Sequence, residues 1–104
     1  LFDSDILQIA EQVTGREIDV IPHTINAMVM LEVESHVYTA SVVRRLREFR
    51  NVKSVYEITG DFDVSAFVDV EDVMALNNLI EEIRTVKGVK RSETRMVLKK
   101  YNGK

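Results

Sequence analysis

The stretch Thr59-Gly60-Asp61-Phe62-Asp63 places the polar side chains most suited to ligand binding at the centre of the chain. It separates two runs of alternating apolar and polar residues, so it predicts a hairpin connection. Gly60 can adopt positive φ without a steric clash, and aspartate favours turns. Backbone amides around such a glycine can hold a carboxylate, and Asp61 and Asp63 can either accept hydrogen bonds from an ammonium group or orient the turn. These residues therefore fit either capture of a small ligand or a plain β-turn.

A second polar group, Ser92-Glu93-Thr94, interrupts the last predicted strand. It follows Val89 and precedes a run of apolar residues. The hydroxyl of Thr94 is suited to contact a ligand or to form a hydrogen bond across the sheet. The residues alone leave both roles open.

Residues for catalysis or metal binding are sparse. The chain has no cysteine, which excludes a disulfide, a thiol nucleophile and a thiolate metal site. His23 and His36 stand apart, and the acidic residues around the central stretch lack the spacing of a calcium-binding loop. No Ser/His/Asp set and no glycine-rich phosphate loop is present. We therefore predict no enzyme activity, cofactor or metal for this chain.

Hydrophobic periodicity divides the chain into an N-terminal segment and one domain. Residues 1–14 predict an amphipathic helix, and residues 16–24 predict an extended connector. Packing on the domain, a link to a partner and the remnant of another segment all remain open for residues 1–24. Residues 25–101 form the predicted domain, and residues 102–104 form a tail. Strands are predicted at 25–34, 52–59, 62–70 and 89 to about 101, with one helix from an N-cap at Ser35 through Arg50 and another from Glu71 or Asp72 to a stop near Gly88.

The order strand, helix, strand, strand, helix, strand contains an internal repeat, because residues 48–55 recur as residues 82–89. Each half is a βαβ unit, and right-handed crossovers place both helices on the same side of the sheet. The sequence therefore predicts an α+β, ferredoxin-like βαββαβ fold. Its four-stranded antiparallel sheet has two helices on one face.

The sheet face without helices should be polar in a monomer, and it is not. Strand alternation places Met28, Met30, Phe67 and Val97 on this face among charged residues. An apolar face of this kind favours burial against a second copy, so we predict a homo-oligomer. The alternative is a half-exposed sheet with scattered apolar residues.

Length and charge limit the remaining function classes. A chain of 104 residues with a net charge of -3 fits one domain and does not favour direct nucleic-acid binding. No apolar run approaches the roughly 18 residues of a membrane span, and the N-terminus lacks the pattern of a signal peptide. We expect a cytoplasmic protein with no membrane contact. Because the chain begins with Leu1, a fragment or processed product is also considered.

Two motifs together resemble the effector-binding domain of the Lrp/AsnC, or feast/famine, family. The first runs from Asn51-Val52 through Val55 to Ile58-Thr59-Gly60-Asp61-Phe62-Asp63. The second is Gly88-Val89 followed by Arg91-Ser92-Glu93-Thr94-Arg95-Met96-Val97-Leu98. The resemblance covers residues 25–101. It departs mildly at Ser92, where the family usually has threonine.

The resemblance implies a domain that dimerises through its sheets and assembles further into tetramers or octamers. It implies amino-acid effectors bound between subunits and a role in transcription regulation. The ligand-binding positions that it carries over are Thr59, Gly60, Asp61, Asp63, Ser92 and Thr94. The family's DNA-binding helix-turn-helix has no counterpart in residues 1–24. DNA contact would then pass through a separate DNA-binding regulator or a lost domain.

Three other interpretations are weighed. The domain could oligomerise without a ligand. It could be an ACT-like amino-acid-binding domain, but Glu34-Ser35-His36 replaces the glycine expected after the first strand. An acylphosphatase-type hydrolase would need an anion-binding loop at that same place, and none is visible.

Overall fold

The computed structural model describes residues 24–103. In chain order the elements are β1 (Ile25–Val33), α1 (Thr39–Leu46), β2 (Val52–Glu57), β3 (Val64–Val70), α2 (Val73–Arg84) and β4 (Val89–Met96). This order confirms the predicted βαββαβ arrangement. The helix and connector predicted for residues 1–24 lie outside the described residues except for Thr24.

The sheet has the strand order β2-β3-β1-β4, and every neighbouring pair is antiparallel. β1 is therefore central, and Leu31 lies opposite Val64 on one side and Ser92 on the other. β2 and β4 form the two edges. The hairpin between β2 and β3 lies at the same end of the sheet as the C-terminal end of β1.

The core lies between the sheet and the two helices, which pack on one face as predicted. Alternation along β1 turns Ala27, Val29 and Leu31 toward the helices, and all three are fully buried. The helices contribute Val42, Leu46, Leu76, Leu79 and Ile83. Burial of this apolar set is the main source of stability for the domain.

The first helix begins later than predicted. The Val37 N–H donates to the Glu34 carbonyl (3.1 Å), and the Glu34 N–H donates to the Gly88 carbonyl (2.8 Å). The chain therefore turns after β1, and the prediction that Ser35 caps the helix is wrong. Tyr38 is the N-cap residue, without a side-chain hydrogen bond.

The first helix also ends earlier than predicted, at Leu46 rather than Arg50, because the chain turns there. The Phe49 N–H donates to the Leu46 carbonyl, and the Val52 N–H donates to the Phe49 carbonyl, both at 3.1 Å. The second helix begins where one of the two predicted caps lies. Asp72 Oδ1 accepts from the Ala75 N–H at 2.8 Å.

The strands around the hairpin and at the C-terminus are shorter than predicted. β2 ends at Glu57, β3 begins at Val64, and β4 ends at Met96 rather than near Tyr101. Met96 lies opposite Ala27, near the start of β1, so β4 has little strand left to pair with beyond it. Among the described residues, no helix is long and apolar enough to cross a membrane.

Candidate functional site

The hairpin loop, residues 58–63, is the most exposed part of the predicted ligand site. The Ile58 N–H donates to the Asp63 carbonyl at 2.9 Å and closes the loop. Gly60 has φ of +108°, as its predicted role requires, and Thr59, Gly60 and Asp61 are all exposed. The loop therefore presents backbone amides and one free carboxylate to a partner molecule.

Asp63 anchors the loop to β1. Its N–H donates to the Leu31 carbonyl at 2.9 Å, and its Oδ2 accepts from the Val33 N–H at 2.8 Å. The side chain is half-buried. Asp63 thus orients the turn and also holds the loop against the central strand, a partner that the sequence did not indicate.

The aromatic residue of the hairpin loop is buried although its neighbours are exposed. Phe62 is 8% exposed, and the Arg91 guanidinium carbon lies 4.4 Å from its ring centroid. This distance is within the range of a cation–π contact. Arg91 Nε also donates to Glu32 Oε1 at 3.0 Å. Arg91 therefore connects the loop to β1.

Ser92 and Thr94 of the second motif lie on β4. They are opposite Leu31 and Val29, so they share the helix-facing side of the sheet. Arg84 Nε donates to the Ser92 hydroxyl at 3.2 Å. β1 separates β4 from β3, so at strand spacing Ser92 lies roughly 10 Å from Val64. Within one subunit the two motifs therefore meet through Phe62 and Arg91, whereas Ser92 and Thr94 lie on the other side of β4.

The sheet surface opposite the helices is here called the open face. Met28 is 43% exposed on it, whereas Met30 and Phe67 are half-buried. Val97 lies just beyond β4, half-buried, with its N–H donating to the Asn26 carbonyl at 2.8 Å. Register and alternation give the face Met28, Met30 and Glu32 from β1, Ser54 and Tyr56 from β2, Ser65, Phe67 and Asp69 from β3, and Arg91, Glu93 and Arg95 from β4.

Metal coordination has no visible basis in residues 24–103. No group of three or more histidine, cysteine, aspartate or glutamate side chains is arranged there to hold an ion. The site consists of an exposed glycine loop, an anchoring aspartate and a nearby mixed apolar and charged sheet face. Such features suit recognition of a small polar molecule or of another subunit.

The strand order, the placement of both helices and the glycine hairpin define a ferredoxin-like α+β domain. The sequence model of the Lrp/AsnC ligand-binding domain family matches residues 26–103, so the chain belongs to the Lrp/AsnC ligand-binding domain family.

Sequence relatives place the same domain in a larger protein. The homocitrate synthase of Sulfurisphaera tokodaii is 48% identical over 99 residues, which are 94% of this chain and 22% of that protein. The homocitrate synthase of Saccharolobus solfataricus is 46% identical over the same shares. The chain thus spans about a fifth of the length of these relatives.

Solved structures support the fold. A Thermus thermophilus protein is 28% identical, with a TM-score of 0.69. The match covers 76% of this chain and 99% of the Thermus protein. Escherichia coli AsnC is 24% identical, with a TM-score of 0.72, over 97% of this chain and 71% of AsnC. A feast or famine regulatory protein from M. tuberculosis, solved with L-methionine, is 22% identical, with a TM-score of 0.69. The match covers 97% of this chain and 71% of that protein.

Sequence reasoning missed the contact between Phe62 and Arg91. Both residues belong to the two motifs, but neither was given a role of its own. The available signal was the single aromatic residue between the two aspartates of the loop. Its partner is 29 positions away, and only the strand register brings the two together.

Proposed function

We propose that this domain binds an amino acid between subunits and regulates the protein to which it belongs through self-association. The family membership supports a regulatory ligand-binding role. One structural relative contains bound L-methionine, which indicates the chemical class of ligand without defining it for this chain. An amino acid offers the carboxylate and ammonium groups that the hairpin loop can bind.

The observation that carries the proposal is the exposed glycine loop beside an uncovered sheet face. Gly60 has positive φ, and its neighbours Thr59 and Asp61 are free to contact a ligand. Met28 and Phe67 lie on the open face, where a second copy would bury them. Binding beside an interface lets a ligand favour one assembly by its differential affinity.

Ser92 and Thr94 enter this site only across subunits in our proposal. Both lie on the helix-facing side of β4, about two strands from the exposed residues of the hairpin loop in their own subunit. A neighbouring copy can bring β4 to the loop. In this arrangement, dimers form through the open faces. Further association into tetramers or octamers then brings β4 of one dimer to the hairpin loop of another and completes the ligand site.

The protein regulated is, in our proposal, an enzyme of the homocitrate synthase type. The relatives that are 46–48% identical to this chain are homocitrate synthases, and the domain occupies about a fifth of each. Catalysis is then assigned to the rest of such a protein. The domain would adjust that activity to the amino-acid supply.

Transcription regulation is the second candidate. The family model and the fold shared with AsnC support it. In this case the domain would act through a DNA-binding regulator, because its own net charge of -3 does not favour contact with nucleic acid.

Calorimetric titration with the standard amino acids, tested one at a time, examines ligand binding. At least one amino acid should bind, and Asp61→Ala should weaken it, because the Asp61 carboxylate is exposed on the loop. Glu71→Ala is the control, since Glu71 is an exposed acid at the opposite end of β3. Equal losses in both variants, or no binding by the unmodified chain, would contradict the proposal.

Assay of the complete gene product distinguishes the two regulatory roles. If the domain regulates an enzyme, the product has homocitrate synthase activity that the bound amino acid changes. Asp61→Ala should then shift the amino-acid response to higher concentration and leave the basal rate unaltered. A product without synthase activity would favour the transcriptional role.

A further inference from the structure

Arg91 contacts two parts of the molecule that have different proposed functions. Its guanidinium carbon lies 4.4 Å from the ring centroid of Phe62, in the hairpin loop. Its Nε donates to Glu32 Oε1 at 3.0 Å, on the open face of β1. A single side chain therefore links the loop proposed to bind ligand with the face proposed to bind a second copy.

An irregularity in the sheet lies beside this link. The pairing of β1 with β4 shifts between Glu32 and Val33, so that Val33 lies opposite Val89. Such bulges redirect side chains locally. Lys90 Nζ consequently lies 3.7 Å from Glu32 Oε2, on the same carboxylate that Arg91 contacts. Two cations thus surround Glu32 at the end of the open face nearest the loop.

Phe62 is placed to respond to events in the loop. The next residue, Asp63, is bound to β1 through both its N–H and its side chain. The preceding residues, Gly60 and Asp61, are exposed. Phe62 therefore lies between the exposed residues of the loop and the anchored Asp63, where a change in the loop reaches it first.

We propose that Arg91 couples ligand binding at the hairpin loop to association through the open face. The inference rests on the proposed function. When Phe62 moves, Arg91 loses its ring contact, and its half-exposed side chain redistributes charge around Glu32. The open face then presents a different charge pattern in the bound and free states, which supplies the differential contact that a population shift requires.

The chain provides a matched control on the same strand. Arg95 lies on the open face and pairs with Glu93, also on β4. It has the same charge and similar exposure, 63% against 50% for the Arg91 side chain. Arg95 lies opposite Met28, far along β1 from the loop. Removing its charge alters the open face without altering the link to Phe62.

The test compares the unmodified chain with Arg91→Gln and Arg95→Gln. Sedimentation measures the association constant without ligand and with each standard amino acid in turn, and calorimetry measures the affinity of the ligand. The unmodified chain should show an association constant changed by the ligand by about fivefold or more, the usual lower range of coupling between sites. Arg95→Gln should retain that change, and Arg91→Gln should reduce it to within about twofold.

Phe62→Leu keeps an apolar side chain and removes the ring. Phe62→Leu should lose the coupling as Arg91→Gln does. The double variant Phe62→Leu/Arg91→Gln should lose no more than either single variant, because both changes break the same contact between Phe62 and Arg91. Coupling that survives in Arg91→Gln, or falls equally in Arg95→Gln, would overturn the inference and leave the proposed function standing. If the unmodified chain binds no amino acid, both fail together.

Discussion

The carboxylate of Asp63 accepts a hydrogen bond from the backbone N–H of Val33 at 2.8 Å. This bond spans 30 positions and joins the hairpin loop to the end of the central strand. Asp63, which the family resemblance predicts to bind ligand, thus has a structural role. The two roles can be separated by substitution.

Asp63→Ala should lower the free energy of unfolding by about 1–3 kcal/mol, because the Val33 N–H is left without its partner. Asp63→Asn should lower it less, since the amide oxygen can still accept the bond. Urea denaturation followed by circular dichroism measures both. A ligand affinity that falls in Asp63→Asn while stability is retained would indicate direct contact with the ligand. Equal stability of Asp63→Ala and the unmodified chain would contradict the anchoring role.

Gly88→Ala should destabilise the domain more than Gly60→Ala. Both glycines have positive φ, and alanine in the left-handed region costs about 1–2 kcal/mol. At Gly88 a Cβ would also lie 2.7 Å from Val37 Cγ1, whereas nothing lies within 4 Å at Gly60. The overpacking adds about 1–3 kcal/mol. Thermal and urea unfolding of the two variants test this order, and a reversed order would contradict the close approach of Val37.

Asp72→Ala should lower stability by about 0.5–2 kcal/mol, because Asp72 Oδ1 caps the Ala75 N–H. Ser35→Ala is the informative control, since its pattern predicts a cap but the helix begins only at Thr39. Its effect should stay within about 0.5 kcal/mol. Chemical denaturation distinguishes the two, and a larger loss in Ser35→Ala would return the helix start to residue 35.

Met28→Glu should convert the assembly to monomers without unfolding them. Met28 lies on the open face opposite Arg95, so a glutamate there is tolerated in the monomer, whereas burial of its charge in an interface is costly. Met74→Glu is the control, because Met74 is 73% exposed on α2, away from the sheet face. Sedimentation velocity should show a lower mass for Met28→Glu alone. The same mass for both variants would contradict association through the open face.

Strand alternation was enough to predict the sheet, its covered face and its open face. Met28 and Val29 are neighbours in the sequence, but in the structure Val29 is fully buried and Met28 is 43% exposed. The roles of Asp72 and Gly60 were predictable from local residue preferences for capping and positive φ, although the same capping preference failed at Ser35. Local rules therefore account for most of the architecture.

The features that sequence analysis missed depend on distant partners. The first helix starts late because Glu34 bonds to Gly88, which is remote in the chain. The contact of Phe62 with Arg91 depends on the strand register, which sets Arg91 opposite Glu32. No local pattern encodes either contact. The same applies to the proposed ligand site, because a site shared between two copies leaves no pattern within one sequence.

Titration of the unmodified chain and of Met28→Glu with the standard amino acids, followed by calorimetry, tests the central claim most directly. If the ligand binds between subunits, the unmodified chain releases or absorbs heat with at least one amino acid, and the monomeric variant binds it at least about tenfold more weakly, a loss of about 1.4 kcal/mol. Met74→Glu should bind as the unmodified chain does. Equal affinity in the monomer and the assembly, or no binding by the unmodified chain, would contradict the account.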